Sequence, residues 1–168
     1  MGCRAMSPRA EFIGLSLLVA TTVQIGVVVL LAADRHAGIR DVAFALRMTP
    51  AALLAAGVGT WLVTRWHARA IARGTQWKAG GMTLRALLTV FLLFPIALGI
   101  WVVVSAGIDA MVAAAPGSMR ESLTWWPLIV LYGALAAVMF GAVPGFILEY
   151  FACRRYLRRQ AVLSTDHA

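Results

Sequence analysis

Charged residues are few in this chain, 13% of 168 positions, and four long stretches have none: Phe12 to Ala33, Met48 to Thr64, Ala86 to Ile108, and Ser122 to Leu148. A soluble fold is excluded, because a chain of this size cannot enclose 61% hydrophobic residues in one small core. Each stretch is close to or above the roughly 18 apolar residues that cross a hydrocarbon layer about 30 Å thick. Within lipid the backbone must satisfy its own hydrogen bonds, so these runs are helices. The expectation is an all-α polytopic membrane protein, a four-transmembrane-helix bundle with spans over about 12–33, 49–66, 86–108 and 125–148. So little chain remains outside the spans that residues 1–168 are expected to form a single membrane domain.

Other absences narrow the chemistry. The two cysteines, Cys3 and Cys153, belong to no Cys-x-x-Cys pair, so neither thiol exchange nor a structural disulfide is expected. Gly2 and Cys3 do not complete a myristoylation signal, since position 6 is Met6. The first apolar run is longer than a signal-peptide core and lacks a cleavage site before Asp34, so it is read as a retained span. His36, His67 and His167 all fall outside the four runs, which argues against a bis-histidine haem. No carboxylate pair, Ser-His-Asp set, metal cluster or glycine-rich phosphate loop is legible, so no catalytic, metal or cofactor residue is expected, and the reading is non-enzymatic. Nor does a charge sit at the middle of a span, where ion-coupled transporters usually place one.

What charge there is has one dominant sign, a formal +8. The basic residues lie beside hydrophobic ends without a nucleic-acid-binding motif, so nucleic acid is not the expected partner. The amino-terminal arm, the second loop (Arg65 to Arg85) and the tail hold eleven of the Lys and Arg residues; the other two loops hold four. By the positive-inside bias both termini are cytoplasmic, in a bacterial-type inner (plasma) membrane. The tail sets Arg154, Arg155, Arg158 and Arg159 beside Tyr150 and Phe151. It is expected to dock on the inner leaflet, each basic group contributing about 1 kcal/mol.

Along the chain, Thr21, Thr22 and Gln24 are the midplane polar group of span one, and Gln24 needs a partner on another helix. Ile39, Val42 and Leu46 alternate with charges and predict a short interfacial helix in the first loop. Thr49-Pro50 reads as the N-cap and first turn of span two, which extends past a snorkelling Arg65 towards Gly74, with Gly80-Gly81 marking the break before span three. Pro95 and Pro144 predict kinks in spans three and four. Ser118 to Glu121 matches a capping box just outside the membrane, and Trp125 and Trp126 fall at headgroup depth. Glu149 reads as a membrane-edge carboxylate paired with Arg154 or Arg85.

The strongest packing signal is the four-residue ladder Gly133, Ala137, Gly141 and Gly145, which aligns small residues on one face of span four; Ala51, Ala55 and Gly59 form a weaker companion on span two. Such a face serves packing within the bundle or contact with another helix. The contact reading makes the chain an inner-membrane protein whose partner, besides the bilayer, is another membrane protein or a second copy of itself. It acts then as an accessory subunit or as an immunity-type protein that neutralises a membrane-inserting toxin. The competing class is a homo-oligomeric small-solute or ion transporter or channel built on the prolines and the midplane polar group. In either class Gly141→Leu should impair assembly, measured as folded protein recovered from membranes, several-fold more than Leu131→Ile, because a branched side chain holds the facing helix away.

Overall fold

The computed structural model describes residues 7–33, 36, 38–113 and 117–165. Gly2, Cys3, Arg4, Met6, Asp34, Arg35, Pro116 and His167 lie outside the described residues, as do the side chains of Ser118 to Glu121. Five helices follow one another: α1 (Pro8–Ala33), α2 (Ile39–Arg47), α3 (Thr49–Ala72), α4 (Ala79–Ala113) and α5 (Gly117–Thr165). Four of them, all but α2, are long and apolar enough to cross a membrane. The molecule is thus an all-α, four-helix bundle of polytopic membrane type.

The helices overrun the charge-free runs because charge does not end a helix; capping and glycine do. Ser7 starts α1, its hydroxyl accepting the Ala10 amide at 3.3 Å, with Pro8 in the first turn. At α3 the reading of Thr49 as N-cap is corrected. Met48 occupies that position without a side-chain cap bond, and both Thr49 and Pro50 are already helical. The α3 terminus falls where glycine allows it: Gly74 adopts φ +74° and donates to Ile71 O at 2.8 Å. Gly80 and Gly81 do not mark the break, which lies earlier, between Gly74 and Lys78; both are in the first turn of α4. Pro95 lies inside the continuous α4, and Pro127 and Pro144 inside the continuous α5. At 49 residues α5 is about 73 Å long at 1.5 Å per residue, so it carries the arginine-rich segment out of the hydrocarbon layer as helix.

Among the described residues the four long helices form a ring. α1 packs on α3 and α5, α4 packs on the same two, and the diagonal helices stay apart at the backbone, with His67 of α3 reaching Tyr156 of α5 through side chains alone. α2 lies across α1 and α3 at one end. At the other end, the terminal end, where the first turns of α1 meet the C-terminal part of α5, Glu11 accepts from Arg155 Nε at 2.7 Å and also pairs with Arg159.

Two apolar clusters close the ring. The terminal-end cluster joins Phe12, Val63, Met82, Cys153 and Tyr156, with the Phe12 and Tyr156 rings 5.0 Å apart. The α2-end cluster joins Ala51, Leu98 and Val102 and is flanked by Met48, Phe94 and Trp101. Between them the helices are held by close backbone approach. A Cβ on Gly59 would lie 2.8 Å from Val90 Cγ2 and 3.3 Å from its backbone nitrogen, so α3 and α4 touch there only because the residue is glycine.

Gly59→Leu is therefore expected to destabilise the bundle by about 1–3 kcal/mol through overpacking. Gly26→Leu, at a position with nothing within 4 Å of its Cβ, should leave the thermal transition in detergent near the wild-type temperature.

Candidate functional site

The inward faces of α1 and α5 repeat every four residues, the spacing that keeps side chains on one helix face. On α5 the ladder Gly133, Ala137, Gly141, Gly145 continues in register to Glu149 and Cys153. On α1 the matching series is Phe12, Ser16, Ala20 and Gln24. The two series lie on neighbouring helices, and their small residues, with Thr60 of α3 and Phe91 of α4, line a half-open cavity of about 110 Å³ on the bundle axis.

Its walls are almost wholly apolar, and its polar groups lie at defined heights. At the floor, near the terminal end, Ser16 Oγ donates to Glu149 Oε1 at 2.7 Å, with both residues at most 4% exposed. This corrects the reading of Glu149 as an edge carboxylate paired with Arg154 or Arg85. It is buried, and among the described residues it has no ion-pair partner. Arg85 instead lies 4.2 Å over the Trp77 ring. Thr60 donates to Ala56 O at 2.7 Å within its own helix, leaving its lone pairs on the cavity wall.

At the roof stands Gln24, whose Nε2 donates to Ala45 O at 2.7 Å. That carbonyl belongs to the last turn of α2 and also accepts from Met48 N at 3.2 Å, so Gln24 ties the capping helix to α1 as a second donor. Two further bonds tie α2 to α4. Trp101 Nε1 donates to Arg47 O at 2.7 Å, and Arg47 donates to Ser105 O at 3.1 Å while pairing with Asp109. On the far side of Gln24 lies a wider vestibule of about 490 Å³, lined by Met48, Leu98, Trp125 and Tyr132. It shares Gln24, Val27, Phe94 and Ala137 with the axial cavity, so those four residues form the boundary between the two spaces.

The midplane trio divides. Gln24 lines the cavity, whereas Thr21 and Thr22 donate back to Leu17 O and Leu18 O at 2.8 and 2.9 Å. Within the ladder, Gly133 faces Leu98, Gly141 faces Val23 and Gly145 faces Leu87. Of the tail arginines, Arg155 and Arg159 bind Glu11, while Arg154 and Arg158 are exposed. Arg65 stacks 5.4 Å over Trp61, a ring it shares with Arg9. His67, expected outside the membrane runs, is buried at 3% exposure beside Trp77 and Tyr156, and among the described residues its Nδ1 has no hydrogen-bond partner. Trp126, on the outer part of α5, donates to Gly99 O at 3.0 Å and lays its ring on that glycine.

Sequence reasoning missed Ser16 and placed Glu149 at the membrane edge instead of in the interior. The signal that finds both is the four-residue register itself, carried one step beyond the glycines and alanines. A double-mutant cycle over Ser16→Ala and Glu149→Gln should give a coupling energy of about 0.5–3 kcal/mol in thermal or denaturant unfolding; strictly additive effects would mean that the two side chains do not meet.

Compared with protein-family models, with curated proteins and with solved structures, the chain matches none.

Proposed function

We propose that this chain is a non-enzymatic, single-domain protein of a bacterial-type inner membrane, with both termini cytoplasmic, that takes a small solute into the axis of its bundle. The observation that carries the reading is the cavity closed by the Ser16–Glu149 hydrogen bond at one end and meeting a wide vestibule at Gln24 on the other. A bundle built only to contact other helices has no use for an internal space with a buried carboxylate, whose desolvation is costly unless something compensates it. The small-residue ladder, which first suggested a partner, is turned towards Val23, Leu87 and Leu98 of the same bundle. That placement accounts for the ladder as packing within the bundle, which is what the solute reading requires of it. With the termini cytoplasmic, the vestibule opens to the periplasm and the cluster of Phe12, Met82 and Tyr156 seals the cytoplasmic end.

Cysteine accessibility in intact cells tests this. Ala20→Cys and Ala137→Cys, both on the cavity wall, should react with a small externally added thiol reagent. Leu18→Cys, 63% exposed on the outer face of α1, should stay unreactive in lipid. Unreactive Ala20→Cys and Ala137→Cys in folded protein would overturn the reading.

A further inference from the structure

Resting on the solute-binding reading, we infer that the axial cavity takes a small organic cation, an ammonium carried on a body no larger than one aromatic ring, with its charge against Glu149.

Size sets the first limit. A cavity of about 110 Å³ is somewhat smaller than the engineered apolar cavity of about 150 Å³ known to accept benzene. A short branched alkyl group or a single ring is the body that such a space suits. The apolar wall, from Val19 and Val23 to Leu87 and Phe91, suits a hydrocarbon body.

Charge sets the second. Among the described residues Glu149 is the one ionisable group on that wall, and its hydrogen bond there is the one Ser16 donates to Oε1. The nearby basic groups are engaged elsewhere. Arg155 and Arg159 hold Glu11, Arg9 donates to Thr64 Oγ1 at 3.1 Å, Arg65 lies over Trp61, and Arg85 lies over Trp77. The protein thus supplies a buried acceptor with no described cation to complete it. A carboxylate left in that condition is strongly unfavourable, whereas a hydrogen-bonded counter-charge restores much of what desolvation removes. An ammonium brings that charge and three donors, enough for Glu149 and for the lone pairs of Ser16. An anionic ligand meets only repulsion at the floor, and a neutral one leaves the carboxylate as it was.

Access sets the third. The terminal end is closed by the Phe12, Met82, Cys153 and Tyr156 cluster and ringed by arginines, which repel a cation. The α2 end offers the vestibule, with aromatic Trp125 and Tyr132 on its wall and neutral Gln24 at its inner boundary. The route for a cation therefore runs past Gln24 towards Glu149.

The test uses Ala20→Cys protein in membranes and reads protection of the cysteine from thiol reagent by benzylammonium, benzyl alcohol and benzoate. Benzylammonium should protect at a concentration at least tenfold lower than benzyl alcohol, and benzoate should not protect. Glu149→Gln should bring the two protecting compounds within about twofold of each other, while Ser16→Ala, which keeps the carboxylate, should retain the preference. Should Glu149→Gln fail to fold, the wild-type ordering of the three compounds and the Ser16→Ala result decide alone. Equal protection by benzylammonium and benzyl alcohol, or protection by neither while Ala20→Cys still reacts, overturns the cation assignment and leaves an accessible cavity in place. An Ala20→Cys residue that no reagent reaches overturns the solute reading itself.

Discussion

Lipid removes the force that ordinarily gathers helices. Apolar side chains gain almost nothing by exchanging hydrocarbon tails for one another, so a membrane bundle is held by close backbone contact and by a few polar bonds that have nowhere else to go. In this chain those devices are concentrated at the two ends. Glu11 with Arg155 and Arg159, together with the Phe12 to Tyr156 cluster, draws the terminal end shut. Gln24, Trp101 and Arg47 fasten α2 over the other end. The middle, where Ala20, Ala56 and Gly141 face inward, has too little side-chain volume to fill a ring of four helices, and it is there that the cavity forms.

Much of this was legible in the residues. The spans follow from hydropathy alone, because no other solvent accepts runs so poor in charge. The short α2 follows from Ile39, Val42 and Leu46 at helical spacing, and the α3 terminus from Gly74. Helix starts were less legible. Gly80 and Gly81 look like a break, yet glycine is tolerated in a first turn, and the chain reverses before reaching them. Thr49 looks like a cap, yet Met48 turns the backbone without one.

Glu149 was misplaced for a more instructive reason. Judged by its distance from the arginine-rich tail it belongs to the membrane edge; judged by its register with Gly141 and Gly145 it belongs to the interior. Register governs where a side chain points. Its bond to Ser16 spans 133 positions of sequence and exists only because α1 and α5 are neighbours in the ring, which no local pattern specifies. The arginines carry a related lesson. A count of positive charge orients the chain, but Arg9 and Arg65 flanking Trp61, and Arg85 over Trp77, are fixed on indole faces rather than dispersed in water.

The seam between α1 and α5 joins the first helix of this bundle to be synthesised with the last of the same bundle. Until α5 leaves the ribosome, the Ser16, Ala20 and Gln24 face of α1 has α3 and α4 to approach but no Glu149 to bond and no arginine to hold Glu11. Closure of the ring thus waits for α5, and the Ser16 hydroxyl meets its carboxylate partner only once that helix is in place.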